Sequence, residues 1–177
     1  MVRRISLMLA MLAFGMNIVL AEELREASRF FHDSFGDLQE EAQTAVDEGK
    51  TGVLIMFEDK DCPWCRRMKQ SILNRATVQD LFHQHFRIIS IDVNGDTTIT
   101  SFDGEEVFER EFALKYNRVR ATPVFAFFDG NGKFLTRFTG AAKSVKEFML
   151  LAEFVVDGHY QSSRFSKFRR QRMAKSG

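Results

Sequence analysis

The sequence predicts an α/β domain with a central mixed β-sheet flanked by helices, and three observations carry that expectation. Two unbroken apolar runs, V-L-I-M-F at 53–57 and V-F-A-F-F at 124–128, fit strands covered on both faces. Between them apolar residues recur at helical spacing, as at Cys65, Met68 and Ile72. Asp129-Gly130-Asn131-Gly132 is a strong hairpin turn late in the chain, with Lys133 to Phe138 as the returning strand.

The elements follow in order. Glu22 to Phe35 is polar with scattered aromatics and reads as a loosely held segment with some helix. Asp37 caps a helix that runs to Glu48, with Leu38, Ala42, Ala45 and Val46 on one side and Gly49 as its stop. The first strand comes next, then a helix beginning at Cys62, then a second helical piece from Val78 to His85. Arg87 to Val93 is an apolar strand, and Asn94-Gly95-Asp96 turns the chain. Asp103-Gly104 can turn a small hairpin within an insert. Glu105 to Tyr116 reads as helix because Phe108, Phe112 and Tyr116 fall four apart, with Asn117 as a left-handed stop. After the hairpin, Ser144 and Glu147 form a capping-box pattern. Val145, Phe148, Leu151, Ala152 and Val155 then share a face, and Gly158 ends that helix.

Composition bounds the rest. Residues 1–21 read as a secretory signal: Arg3 and Arg4 precede an apolar stretch from Ile5 to Leu20, with cleavage after Ala21. A nearly all-apolar stretch of sixteen residues is short for a membrane span. The remaining chain is one ordinary domain, with an extension at 22–36, a folded unit at 37–158 and a tail at 159–177. The formal charge of +1 hides an acidic body and a tail bearing Arg164, Lys167, Arg169, Arg170, Arg172 and Lys175 with no acid. Export and the lack of an aromatic stacking platform beside those charges argue against nucleic acid. A solvated helix or disordered tail is the ordinary reading, and weak contact with an anionic membrane surface or an acidic partner is the functional one.

Both cysteines sit in F-E-D-K-D-C-P-W-C-R-R-M, at Cys62 and Cys65. A secreted disulfide scaffold would use four to eight. A loop this short constrains little chain entropy, so a structural staple explains the pair poorly. A structural zinc needs four ligands, and His32, His83, His85 and His159 show no spacing tied to this pair. No metal is therefore assigned, and the histidines receive no role. A redox couple is the reading that remains. Cys62 falls where a buried strand gives way to a helix, and the free N–H groups and dipole there lower a thiol's pKa. Pro63 suits the first helical turn, where its missing N–H costs nothing. Trp64, between the cysteines, is placed to touch substrate. The Cys62 thiolate attacks a substrate disulfide, and Cys65 then attacks Cys62 and releases reduced substrate. The disulfide itself is the redox group, and no other cofactor is called for.

C-P-W-C between strand and helix, followed by A-T-P before a strand hairpin and a last helix, resembles the thioredoxin superfamily from about Asp37 to Asp157. The resemblance implies the thioredoxin fold and a cis proline lying against the disulfide, roles that fall to Thr122 and Pro123. The family's buried aspartate, six residues before the first cysteine, is replaced by Met56. Glu58 is the nearest carboxylate and the candidate proton carrier. M-F-E-x-x-x-C-P-x-C, I-S-I-D-V-N-G-D, T-x-F-D-G, T-P-V-F-x-F-F-D and V-x-D-G-H-Y are similar to SoxW-like exported thioredoxins. That likeness implies a periplasmic disulfide reductase of protein or small-molecule disulfides, recharged by a membrane electron donor of the DsbD or CcdA kind. The alternatives are a disulfide oxidase or isomerase, because P-x-C inner pairs occur in oxidising relatives, and a copper-binding module of the same fold.

Overall fold

The computed structural model describes residues 22–174. The segment at 1–21, read above as a secretory signal, lies outside the described residues, as does Lys175. Among the described residues no helix is long and apolar enough to cross a membrane.

A four-stranded sheet runs through the molecule in the order β2-β1-β5-β6. β1 (Gly52–Glu58) is central, parallel to β2 (Phe86–Asp92) and antiparallel to β5 (Val124–Asp129), which pairs antiparallel with β6 (Phe134–Thr139). The apolar run of β1 is explained by a hydrophobic core on each of its two faces. Val53, Ile55 and Phe57 join a core with α1 (Leu38–Asp47), while Leu54 and Met56 alternate into a larger core shared with α2 (Pro63–Ser71), α3 (Ala76–His85) and α5 (Val145–Val156). The Asp37 carboxylate accepts from the N–H groups of Gln39 and Glu40, capping α1 as expected. Gly49, at φ 66, takes the left-handed stop.

Three expectations need correction. First, 105–116 is not one helix. Phe108 belongs to β4 (Glu106–Phe108), which pairs with β3 (Thr98–Thr100) as the small hairpin foreseen at Asp103-Gly104. Helix α4 covers only Glu109–Glu111 and continues as a wider π-type turn over Phe112–Tyr116. Pairing across the insert overrode the four-residue spacing. Second, Asn117 is not left-handed; Arg118 is, at φ 51. Third, the N-terminal segment is held fast. Phe30 is fully buried, and His32 binds the open edge of β2 twice, its N–H donating to the Ile88 carbonyl at 2.8 Å and its Nδ1 accepting from the Ile88 N–H at 3.0 Å.

The basic tail takes the helical alternative. α6 (Phe165–Ala174) buries Phe168 and rests on α5. Glu147, 3% exposed, pairs with Arg169 of that helix and also accepts from the Lys143 N–H. The Ser144 hydroxyl accepts from the Glu147 N–H, so half of the capping box forms while the glutamate reaches one residue further back.

Candidate active site

Cys62 closes the turn between β1 and α2 as the N-cap of that helix, with Pro63 in the first turn. Its N–H donates to the Asp59 carbonyl at 3.0 Å, and its Sγ accepts from the Cys65 N–H at 3.1 Å. A free N-terminal amide of the helix thus points at the sulfur, as the sequence reading required. Cys62 and Cys65 are joined as a disulfide with Cα atoms 5.3 Å apart. Cys62 is 8% exposed and Cys65 2%, so the outer sulfur is the one a substrate can reach. Met68, on the buried face of α2, fixes the helix from behind: its sulfur accepts from the Ala142 N–H at 3.3 Å.

The second wall comes from the far side of the chain. The Thr122–Pro123 bond is cis, and the Thr122 carbonyl oxygen lies 3.5 Å from Cys62 Sγ. Sixty residues separate these two atoms in sequence, and the β1–β5 pairing brings them together, with Phe57 opposite Val124. Trp64 is 54% exposed beside the cysteines, with the Arg67 guanidinium 5.6 Å from its ring centre. A groove of about 590 Å³ opens beside Thr122, bounded by Asp59, Val93, Leu114 and Arg120.

Around the motif, Asp59 and Arg66 are internally engaged. Asp59 accepts from the Asp61 N–H and from the Asn94 amide, and the Arg66 guanidinium donates to the Lys60 carbonyl. Met56 is fully buried. Glu58 continues the Leu54–Met56 face of β1, toward the core that holds both cysteines. Its carboxylate is bound by Lys69 Nζ at 2.6 and 2.8 Å and accepts from the Ser90 hydroxyl at 2.5 Å. Sequence reasoning missed Lys69 and Ser90. Lys69 lies eleven residues from Glu58, and only the parallel register of β1 and β2 shows Ser90 beside Met56.

His32 and His83 meet at a tilt at the β2 edge, their ring centres 4.8 Å apart. Glu153, Asp157 and His159 bring their ligand atoms within 4.8 Å of one another at the end of α5, but Arg172 is paired with Glu153 there.

A sequence profile of the thioredoxin-like domain matches residues 38–155. The chain belongs to the thioredoxin-like family. A thioredoxin-fold protein from Helicobacter pylori is 20% identical, with a TM-score of 0.59 over 84% of this chain and 90% of that one. A thioredoxin from Thermus thermophilus is 27% identical, with a TM-score of 0.51 over 66% and 82%. The oxidised C-terminal domain of DsbD from Neisseria meningitidis is 22% identical, with a TM-score of 0.50 over 70% and 97%. No match is found among curated proteins. Family membership and the Cys62–Cys65 pair make the chain a thioredoxin-like thiol–disulfide oxidoreductase.

Proposed function

We propose that this thioredoxin-like protein is exported and works as a periplasmic disulfide reductase of the SoxW-like kind. The observation that carries the reading is the reactive pair itself, with Cys62 at the mouth of α2, beside the cis Thr122–Pro123 bond, and Cys65 buried behind it. The Cys62 thiolate attacks one sulfur of a substrate disulfide, forming a mixed disulfide and expelling the other sulfur as a thiolate. Cys65, losing its proton, attacks Cys62 Sγ and expels the second substrate sulfur. The substrate gains two electrons and the pair is left oxidised. In this reading Pro63, Trp64, Thr122 and Pro123 form the substrate-facing surface, and Glu58 accepts the Cys65 proton. The disulfide is the only redox group the reaction needs. Export rests on the apolar leader at 1–21. A DsbD- or CcdA-like membrane donor restores the dithiol, since an exported reductase has to draw its electrons from across the membrane.

The test is the reduction potential of the Cys62–Cys65 pair, equilibrated against glutathione and dithiothreitol with Cys62→Ser as control. A value near about −270 mV supports the reductase. A value near about −120 mV assigns an oxidase and removes the SoxW-like reading.

A further inference from the structure

At the far end of β5 from Pro123, five aromatic rings touch in one continuous shelf, its members Phe112 and Phe128 buried in the core. Tyr116 stacks on Phe112 (centroids 5.9 Å), Phe112 meets Phe102 (6.2 Å), Phe102 meets Phe128 (4.7 Å), and Phe128 meets Phe134 edge-on (5.8 Å). The two ends are open, Tyr116 being 43% and Phe134 48% exposed. These rings come from the insert, the π-type turn and the β5–β6 hairpin. Gly132, at φ 74, lets the hairpin close over the Phe102 ring, since a Cβ there would lie 2.5 Å from Phe102 Cβ.

The shelf floors a groove of about 670 Å³, within the roughly 300–1,000 Å³ usual for small-molecule sites. Three cations edge it: Arg118, Lys133 and Arg137. Among the described residues neither Arg118 nor Lys133 has an acidic partner. Arg137 spends one N–H on the Asn117 carbonyl at 2.7 Å and keeps the others. Arg118 holds a left-handed backbone where glycine would be unstrained, so the charge is kept at a conformational cost. The facing acids are already engaged. Asp103 accepts from the Ser101 hydroxyl, Glu105 from the Tyr116 hydroxyl, and Asp129 from the N–H groups of Asn131 and Lys133. Tyr116 stays protonated: its hydrogen bond to Glu105, with burial and the surrounding carboxylates, pushes its pKa up to about 12.

We propose that this shelf binds a small anionic aryl ligand, an arene carboxylate or its like, with the flat body on the rings and the anion between Arg118, Lys133 and Arg137. An aromatic floor fixes the apolar part and the cation edge selects the charge. The site shares no residue with the cysteine pair and does not depend on its redox state.

The test is a calorimetric and NMR titration of the protein with naphthalene-2-carboxylate, beside the neutral naphthalene-2-methanol. The expected result is one saturable site, with shifts confined to residues around Phe102, Tyr116, Arg118 and Phe134. The neutral probe should bind at least roughly tenfold more weakly, the loss of about one charge-assisted hydrogen bond. Arg118→Gly with Lys133→Ala removes two charges, the glycine suiting the backbone already present. That variant should lose about tenfold for the carboxylate, leave the neutral probe unchanged and keep full disulfide exchange. Equal affinity for the two probes overturns the proposal. So does undiminished carboxylate binding by the variant, or shifts that map instead to a separate apolar groove between α3 and α5, lined by Leu81, Met149 and Val156.

Discussion

His32 shows how a single side chain can carry a backbone's role. Its Nδ1 accepts from the Ile88 N–H, which requires the unprotonated ring nitrogen. Burial first, then the nearby Arg87 and His83, lower its pKa to about 4 from 6.5. The folded state therefore resists a proton that the unfolded state accepts. The stabilisation is fully present above pH 6.5 and is lost as pH falls through 4. Urea midpoints should accordingly drop between pH 7 and 4. His32→Asn, which keeps an acceptor near the same place, should flatten that limb; an unaltered acid limb in the variant would exonerate His32. Glu58 supports a second expectation. If it takes the Cys65 proton, Glu58→Ala should slow resolution of the mixed disulfide by up to about 10²-fold and change its pH profile. Exchange rates unchanged from pH 6 to 9 would remove it from the mechanism. Cysteine spacing and Pro63 were readable from the sequence because each acts through local geometry, whereas the place of Thr122–Pro123 against the disulfide came from the family resemblance. The Ser90 anchor of Glu58 and the two bonds of His32 were not, because they depend on which residues of β2 fall opposite, and Lys69 reaches Glu58 from α2.

At the scale of elements, α6 is the part where charge and packing must be separated. Its cations sort by face. Arg169 and Arg172 turn to Glu147 and Glu153 of α5, while Lys167 and Arg170 are exposed, as is Arg164 just before the helix. Glu147 is buried, so its charge needs Arg169. Arg169→Ala should cost roughly 2–3 kcal/mol in urea unfolding, the usual penalty for stranding a buried ionised group. Glu147→Gln in the same background should recover most of it, because a neutral amide needs no cation. Additive losses in the double variant would show the pair to be uncoupled. Composition showed the six tail cations but not their partners, which lie on another helix. Phe165 and Phe168, three apart among those cations, were the signal that one face is apolar. The reverse error occurred at 105–116, where four-residue spacing of aromatics suggested helix although Phe108 pairs in β4. Long periodic or unbroken segments such as α5 and β1 were legible, and short ones stabilised by a neighbour were not.

For the whole molecule, the redox chemistry and the folding stability form one thermodynamic cycle. The order of strands followed from a parallel strand–helix–strand half and an antiparallel hairpin half, and the sequence displayed both. The direction of electron flow is not written in that topology, because it depends on which redox form the entire fold stabilises. A pair more reducing than the same dithiol in the unfolded chain must have its disulfide form favoured by folding. A strongly oxidising pair must have its dithiol form favoured. For this two-electron couple, about 30 mV corresponds to about 1.4 kcal/mol. In a chain of this size each kcal/mol moves Tm by roughly 2–4 °C. If the protein is a reductase, the oxidised form should melt several degrees above the form reduced with dithiothreitol. Cys62→Ser with Cys65→Ser, which cannot form the bond, should melt at one temperature with and without the reductant. A reduced form that melts higher than the oxidised one would reverse the assigned direction, and it would do so without any substrate or partner in the experiment.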